Sequence, residues 1–147
     1  MSHRFAVRLA DSLIAVALAS TFLTEAAMAK SDELVSFQTP TRNIGCLFVL
    51  EGAAASLRCD LLQNDAPVPP RPKSCDLDWG NAFSMGTRGR PSRVCAGDTA
   101  AGSGPVVAYG KQWKRGGFVC TSATTGLTCT TLERHGWTLT RRTQRLF

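Results

Sequence analysis

The sequence predicts an all-β domain, a small antiparallel sandwich or barrel-like fold stapled by three disulfides. Three observations lead there. After position 30 no window of a dozen residues carries apolar side chains at i, i+3, i+4 and i+7, so amphipathic helices are excluded as the main element. Short β-prone runs alternate with turn signals, and the 147 residues include 13 Gly and 7 Pro. There are 6 Cys, an even number that reads as a disulfide framework in an exported chain.

Residues 1–29 read as a cleaved secretory leader. Arg4 and Arg8 give a positive start, and Leu13 to Leu23 is apolar apart from Ser20 and Thr21. Ala27-Met28-Ala29 supplies the small-residue cleavage site, which places the mature start at Lys30. The apolar run is about half of the roughly 20 residues that a membrane span needs. No Cys follows it for lipid attachment, so the expectation is an exported product, periplasmic or secreted, with no membrane span after cleavage. Residues 30–147 then form a single domain that keeps all six Cys and one of the two His, His135. Its 15 basic and 9 acidic residues leave the net charge at +6.

The strands follow in order. Residues 34–50 give a strand, a Pro40-Thr41-Arg42-Asn43 turn and a second strand, and residues 55–62 give a third. Ile44, Cys46 and Phe48 alternate on one side of the turn at Glu51-Gly52-Ala53-Ala54, and Leu57, Cys59 and Leu61 on the other, so Cys46 opposes Cys59. Residues 64–74 contain Pro67, Pro69, Pro70 and Pro72, which exclude helix and central strand. This stretch is expected to be a stiff surface loop crossing from one sheet to the other, with a polyproline partner-recognition segment as the less favoured reading.

Residues 75–120 carry a weak internal repeat. Trp79-Gly80-x-x-Phe83-x-x-Gly86 matches Tyr109-Gly110-x-x-Trp113-x-x-Gly116, and each leads to a Val-Cys pair, Val94-Cys95 and Val119-Cys120. Each half reads as a strand, a Gly turn and a return strand, although a short helical turn within 76–84 is an alternative. Residues 96–105 are a small-residue loop between the halves. Phe118 to Thr121 and Leu127 to Thr130 flank a four-residue loop ending in Gly126, a hairpin that opposes Cys120 and Cys129. Cys75 and Cys95 are left for each other. Gly136 to Arg141 alternates again as a last strand.

Zinc is a poor fit, because the closest cysteines lack the short spacing of a zinc pair and His135 follows the last of them. No metal and no cofactor is expected. Asp76 and Asp78 could share a strand face as a carboxylate pair, or Asp76 could cap a turn, but no calcium-loop run follows them. His135, with Glu133 close by, is the one usual general base of the mature chain, and no nucleophile motif accompanies it. Asp98 and Thr99 suit a turn better than a nucleophile.

The candidate binding residues are basic: Arg88, Arg90 and Arg93 in one group, Lys111, Lys114 and Arg115 around Trp113 in another, and Arg141 and Arg142, with Arg145, at the end. With a sequence pI near 9.3, an anionic partner fits. Arg with aromatics also suits single-stranded nucleic acid, which export disfavours.

Asn43-Ile44-Gly45-Cys46, Leu57-Arg58-Cys59-Asp60, Cys75-x-Leu77-Asp78-Trp79-Gly80, Cys95-Ala96-Gly97-Asp98-Thr99, Tyr109-Gly110 and Gly126-Leu127-Thr128-Cys129 occur in this order. Together they resemble a bacterial domain-of-unknown-function family of small exported proteins and lipoproteins, over most of residues 37–147. That family's last motif runs Gly-His-Gly-Phe-x-Leu-Ser-Arg, whereas Arg134-His135-Gly136-Trp137-Thr138-Leu139-Thr140-Arg141 replaces the first Gly and the Ser. The resemblance implies export and the cysteine framework, and no activity.

The function expected from these readings is an exported, non-catalytic β module that binds an anionic envelope polymer or a protein through its loops. The alternatives are a small periplasmic hydrolase centred on His135 and an inhibitor of a secreted enzyme that inserts its Pro-rich or Gly-rich loop into a cleft.

Overall fold

Alternating apolar residues and tight turns lay the chain down as ten antiparallel strands within residues 32–147, the part this computed structural model describes. The leader expected over residues 1–29 lies outside the described residues. β1 (Glu33–Gln38), β2 (Ile44–Glu51), β3 (Ala54–Leu61), β4 (Asp78–Gly86) and β5 (Ser92–Ala96) pair in sequence order as one meander. β6 (Gln112–Arg115), β7 (Phe118–Ala123), β8 (Gly126–Thr130), β9 (Gly136–Leu139) and β10 (Gln144–Leu146) form a second five-stranded meander.

The buried faces of the two sheets share one core. Ile44, Cys46 and Phe48 of β2 and Leu57, Cys59 and Leu61 of β3 supply one side, and Phe118, Cys120, Leu127, Cys129, Trp137 and Leu139 supply the other. Between the sheets, Phe37 stacks on Trp113 at 4.5 Å between ring centroids and Phe48 meets Phe118 edge-on at 6.1 Å. Each fully buried side chain of this size contributes about 1.5–3 kcal/mol from area removed from water.

Both core disulfides follow from hairpin register. Glu51 pairs with Ala54 across a turn in which Gly52 takes φ 56°, and that register sets Cys46 opposite Cys59. Ala123 pairs with Gly126, which sets Cys120 opposite Cys129. The Cα–Cα separations of 4.1 and 4.0 Å are those of closely spaced, non-hydrogen-bonded pairs, and both bridges form there. Cys75–Cys95 completes the set at 5.6 Å, joining the Pro-rich loop to β5.

Two details differ from the sequence reading. The Pro-rich segment does not cross between sheets: it leads from β3 to β4, which are neighbours. It folds back over β4, where the Trp79 indole N–H donates to the Pro69 carbonyl at 2.9 Å and Asn64 donates to the Gly80 carbonyl. The crossing is made by the small-residue segment after β5, which bridges Gln38 in parallel at Val106. Only small residues fit there: a Cβ on Gly45 would overlap Ala101, and one on Gly104 (φ 85°) would overlap the Ser36 backbone. Asp78–Gly86 is the strand the sequence reading favours there, and the alternative helical turn does not form. Finally, a short strand, β10, follows β9 beyond the expected end.

Each half of the sequence repeat is a strand, a Gly turn and a return strand, β4–β5 and β6–β7, but the two halves hold different places in their meanders. In both meanders the second and third strands carry the disulfide, and the fourth strand sets an aromatic opposite the second Cys: Phe83 across from Cys59, Trp137 across from Cys129. β4 therefore corresponds to β9, not to the residues around Tyr109 that its aromatic-Gly spacing resembles.

Candidate binding site

Meander topology sorts the turns into two ends. The β1–β2, β7–β8 and β9–β10 turns and the exit of β3 lie at one end. The β2–β3, β4–β5, β6–β7 and β8–β9 turns lie at the other, where the Gly89 amide donates to Glu133 at 3.0 Å. At the first end the turns enclose a cavity of about 550 Å³.

Its walls carry three arginines from two turns, Arg42, Arg141 and Arg142, and hydroxyls from five threonines. No carboxylate lines it. Arg141 is already held by Asp65, with Nε–Oδ2 at 2.7 Å, while its carbonyl accepts the Asp65 amide at 2.8 Å. Arg42 and Arg142 have no carboxylate partner among the described residues. Arg42 sits at φ 58°, a left-handed conformation that costs a non-glycine residue about 1–2 kcal/mol. The Thr39, Thr41 and Thr140 hydroxyls accept backbone amides of their own turns, which fixes the walls. Leu62 and Tyr109, both about half exposed, provide apolar and aromatic surface.

The sequence-derived basic groups scatter. Arg141 and Arg142 belong to this cavity. Arg88 and Arg90 are exposed at the far end. Arg93 is turned inward, its guanidinium 4.6 Å from the Phe83 ring and donating to the Gly80 carbonyl, and burial holds its pKa below the usual arginine value. Lys111 and Lys114 are exposed on and beside β6, Arg115 is paired with Glu33 across the sheets, and the Trp113 ring stacks on Phe37 at the core rim. Arg145 lies over the terminal Phe147 ring. What the sequence reading missed is Arg42, treated only as a turn residue, and Tyr109, treated only as part of a repeat. The turn spacing that brings them together is tertiary and leaves no local pattern.

Neither catalytic candidate lines this cavity. His135 precedes β9 at the opposite end, and its carbonyl accepts the Thr131 amide and hydroxyl. Asp76 lies in the loop before β4. Asp78 starts that strand and, with Arg71, Trp79, Asn81 and Asp98, lines a smaller cavity of about 290 Å³ that shares Leu62 with the first. All six cysteines are oxidised, and among the described residues no group of three His, Cys, Asp or Glu side chains converges as a metal set.

Arg58 has a clear structural task. Its Nε and Nη2 donate to buried Asp60 at 2.9 and 2.8 Å, and its Nη1 donates to Asp98 at 2.8 Å. Asp60 also accepts the Ala100 amide at 2.8 Å. The Arg-Cys-Asp and Gly-Asp-Thr motifs thus meet as a clasp on the crossing segment. The hydrogen bond from Arg58 holds the Asp98 carboxyl below its ordinary 3.8. A depressed native pKa gives an interaction that is complete above the unfolded value and is lost as pH falls through the native one. Amide hydrogen exchange, corrected for intrinsic rates, should therefore show steady protection of Ala100 and Ala101 from about pH 7 to 5 and weaker protection below about pH 4. Equal protection at both extremes would exclude an electrostatic clasp.

No curated protein and no solved structure matches the chain. Its sequence does match a family description over residues 17–147, a span that takes in every strand and all three disulfide pairs, and on that match the chain belongs to DUF6636, a family of unknown function.

Proposed function

We propose that this chain is a non-catalytic binding module that works outside the reducing cytosol and takes an anionic ligand in its turn-end cavity. The observation that carries the reading is the lining: three arginines, two of them without a carboxylate partner, and no acidic side chain. Unpaired guanidiniums beside hydroxyl donors bind carboxylate, sulfate or phosphate oxygens with charge-assisted hydrogen bonds. Three disulfides suit an oxidising compartment.

The test is a titration of isotope-labelled protein with polyphosphate and polygalacturonate at about 150 mM salt, where weak surface attraction is screened. Saturable shifts should centre on residues 39–43, 123–126 and 140–142. Replacing both Arg42→Gln and Arg142→Gln should weaken binding about 30-fold, with about 1 kcal/mol from each guanidinium. Shifts centred on Arg88, Arg90, Lys111 and Lys114 would overturn the site. His135→Ala should leave binding unchanged, since His135 stands at the other end of the sandwich.

A further inference from the structure

We infer that the ligand is an acidic saccharide chain that runs from the arginine-lined cavity across Leu62 into the smaller cavity beside Trp79. The inference rests on the anion-binding reading above and deepens it.

Three observations support it. First, the two cavities adjoin at Leu62, which lines both and is 54% exposed. Together they hold far more than a phosphate or sulfate ion, and the larger alone is in the range of drug-sized ligand sites. A compact anion would leave most of this surface unused.

Second, the walls read side-chain groups rather than a peptide backbone. The larger cavity is bounded by turns, and the amides of Arg42, Asn43, Arg142 and Thr143 are already bonded within those turns. None of its lining residues lies on an edge strand, β1, β5, β6 or β10, so an added β-strand, the usual way to hold an extended peptide, has no template there. The groups left over are hydroxyls, guanidiniums, an amide and two aromatic rings, Tyr109 at one end and Trp79 at the other. Rings against sugar faces with polar side chains against hydroxyls fit a saccharide.

Third, the charge is graded along the path. The first cavity is basic. The second sets one basic side chain, Arg71, against Asp60, Asp78 and Asp98, whose carboxylates accept from hydroxyls, and adds Asn81, which offers both donor and acceptor. A chain with an acidic sugar at the arginine end and hydroxyl-rich units beyond it matches both halves.

Chain length is the variable that tests this. Calorimetry should compare oligosaccharides of two to six units that carry one uronic acid at an end and neutral sugars beyond it, a wholly neutral oligosaccharide of matched length, a polyglutamate peptide, and polyphosphate. The expected result is affinity that rises about tenfold from dimer to tetramer and then levels off. Trp79→Ala and, separately, Arg71→Ala should abolish that rise and leave dimer affinity unchanged, with unaltered circular dichroism and melting showing that the fold persists. Because the Trp79 indole also bonds Pro69, Arg71→Ala is the cleaner arm. Polyphosphate or polyglutamate binding without length-dependent binding of the singly acidic oligosaccharides would overturn this inference and leave the anion site standing. Failure of every anion to bind would overturn both.

Discussion

Removing the Cys46–Cys59 bridge with paired Cys46→Ala and Cys59→Ala changes should lower unfolding free energy by about 3–5 kcal/mol. Loop closure accounts for about 3 kcal/mol at a sequence separation of 13. The remainder comes from packing, because both sulfurs lie fully buried in the shared core beside Phe83 and their loss leaves a void. Cys75–Cys95 is the control. It spans 20 residues, so loop closure alone ranks it as the slightly stronger bridge. Yet Cys95 is exposed and Cys75, though buried, lies outside the shared core, so removing this pair leaves the smaller void. Urea unfolding of the two paired variants decides between the two contributions. A larger loss for the core pair shows that packing governs the ranking; a larger loss for Cys75–Cys95 shows that chain entropy does.

The second large effect is expected at Arg58. Arg58→Ala should cost about 2–4 kcal/mol, because the Asp60 side chain, only 4% exposed, would lose its ion-pair partner and be left with the Ala100 amide. The figure sits below that for a wholly buried pair because water reaches the guanidinium, which is 22% exposed. Replacing both residues, Arg58→Met with Asp60→Leu, should recover part of the loss by removing the stranded carboxyl. A double variant as unstable as the sum of the single ones would show that the pair is not coupled. Lysine at 58 keeps the charge but cannot bridge two carboxylates with a planar fork, so it should rescue only partly.

Much of the scaffold was legible because it is local. The alternation around Cys46, Cys59, Cys120 and Cys129 fixes both hairpins, and the opposed cysteines follow from turn length. Where the sequence misled, the missing information was non-local. Nothing within residues 64–74 says that Asp65 will clasp Arg141 or that the loop returns to its own sheet. β10 has three residues and is held mainly by pairing with β9, including the Gly136 and Phe147 backbone bonds, so no periodicity announces it. The aromatic-Gly repeat drew attention to Trp79 and Tyr109 through spacing that the fold does not use. The true correspondence lies in two Leu-x-Cys strands, Leu57-Arg58-Cys59 and Leu127-Thr128-Cys129, each followed by an aromatic one strand on. Charge counting likewise found Arg141 and Arg142 but could not separate them from Arg93 and Arg115, whose partners come from other strands.

Because the strand ladders join only neighbours in sequence, with the Gln38–Val106 bridge outside them, assembly demands few distant encounters. A nascent hairpin already brings Cys46 to Cys59, or Cys120 to Cys129, before either sheet meets the other. Native oxidation in these two cases is therefore kinetically favoured over scrambled pairing. The slow event should be the closing encounter of two preformed ribbons, guided by the glycine-lined tether between them.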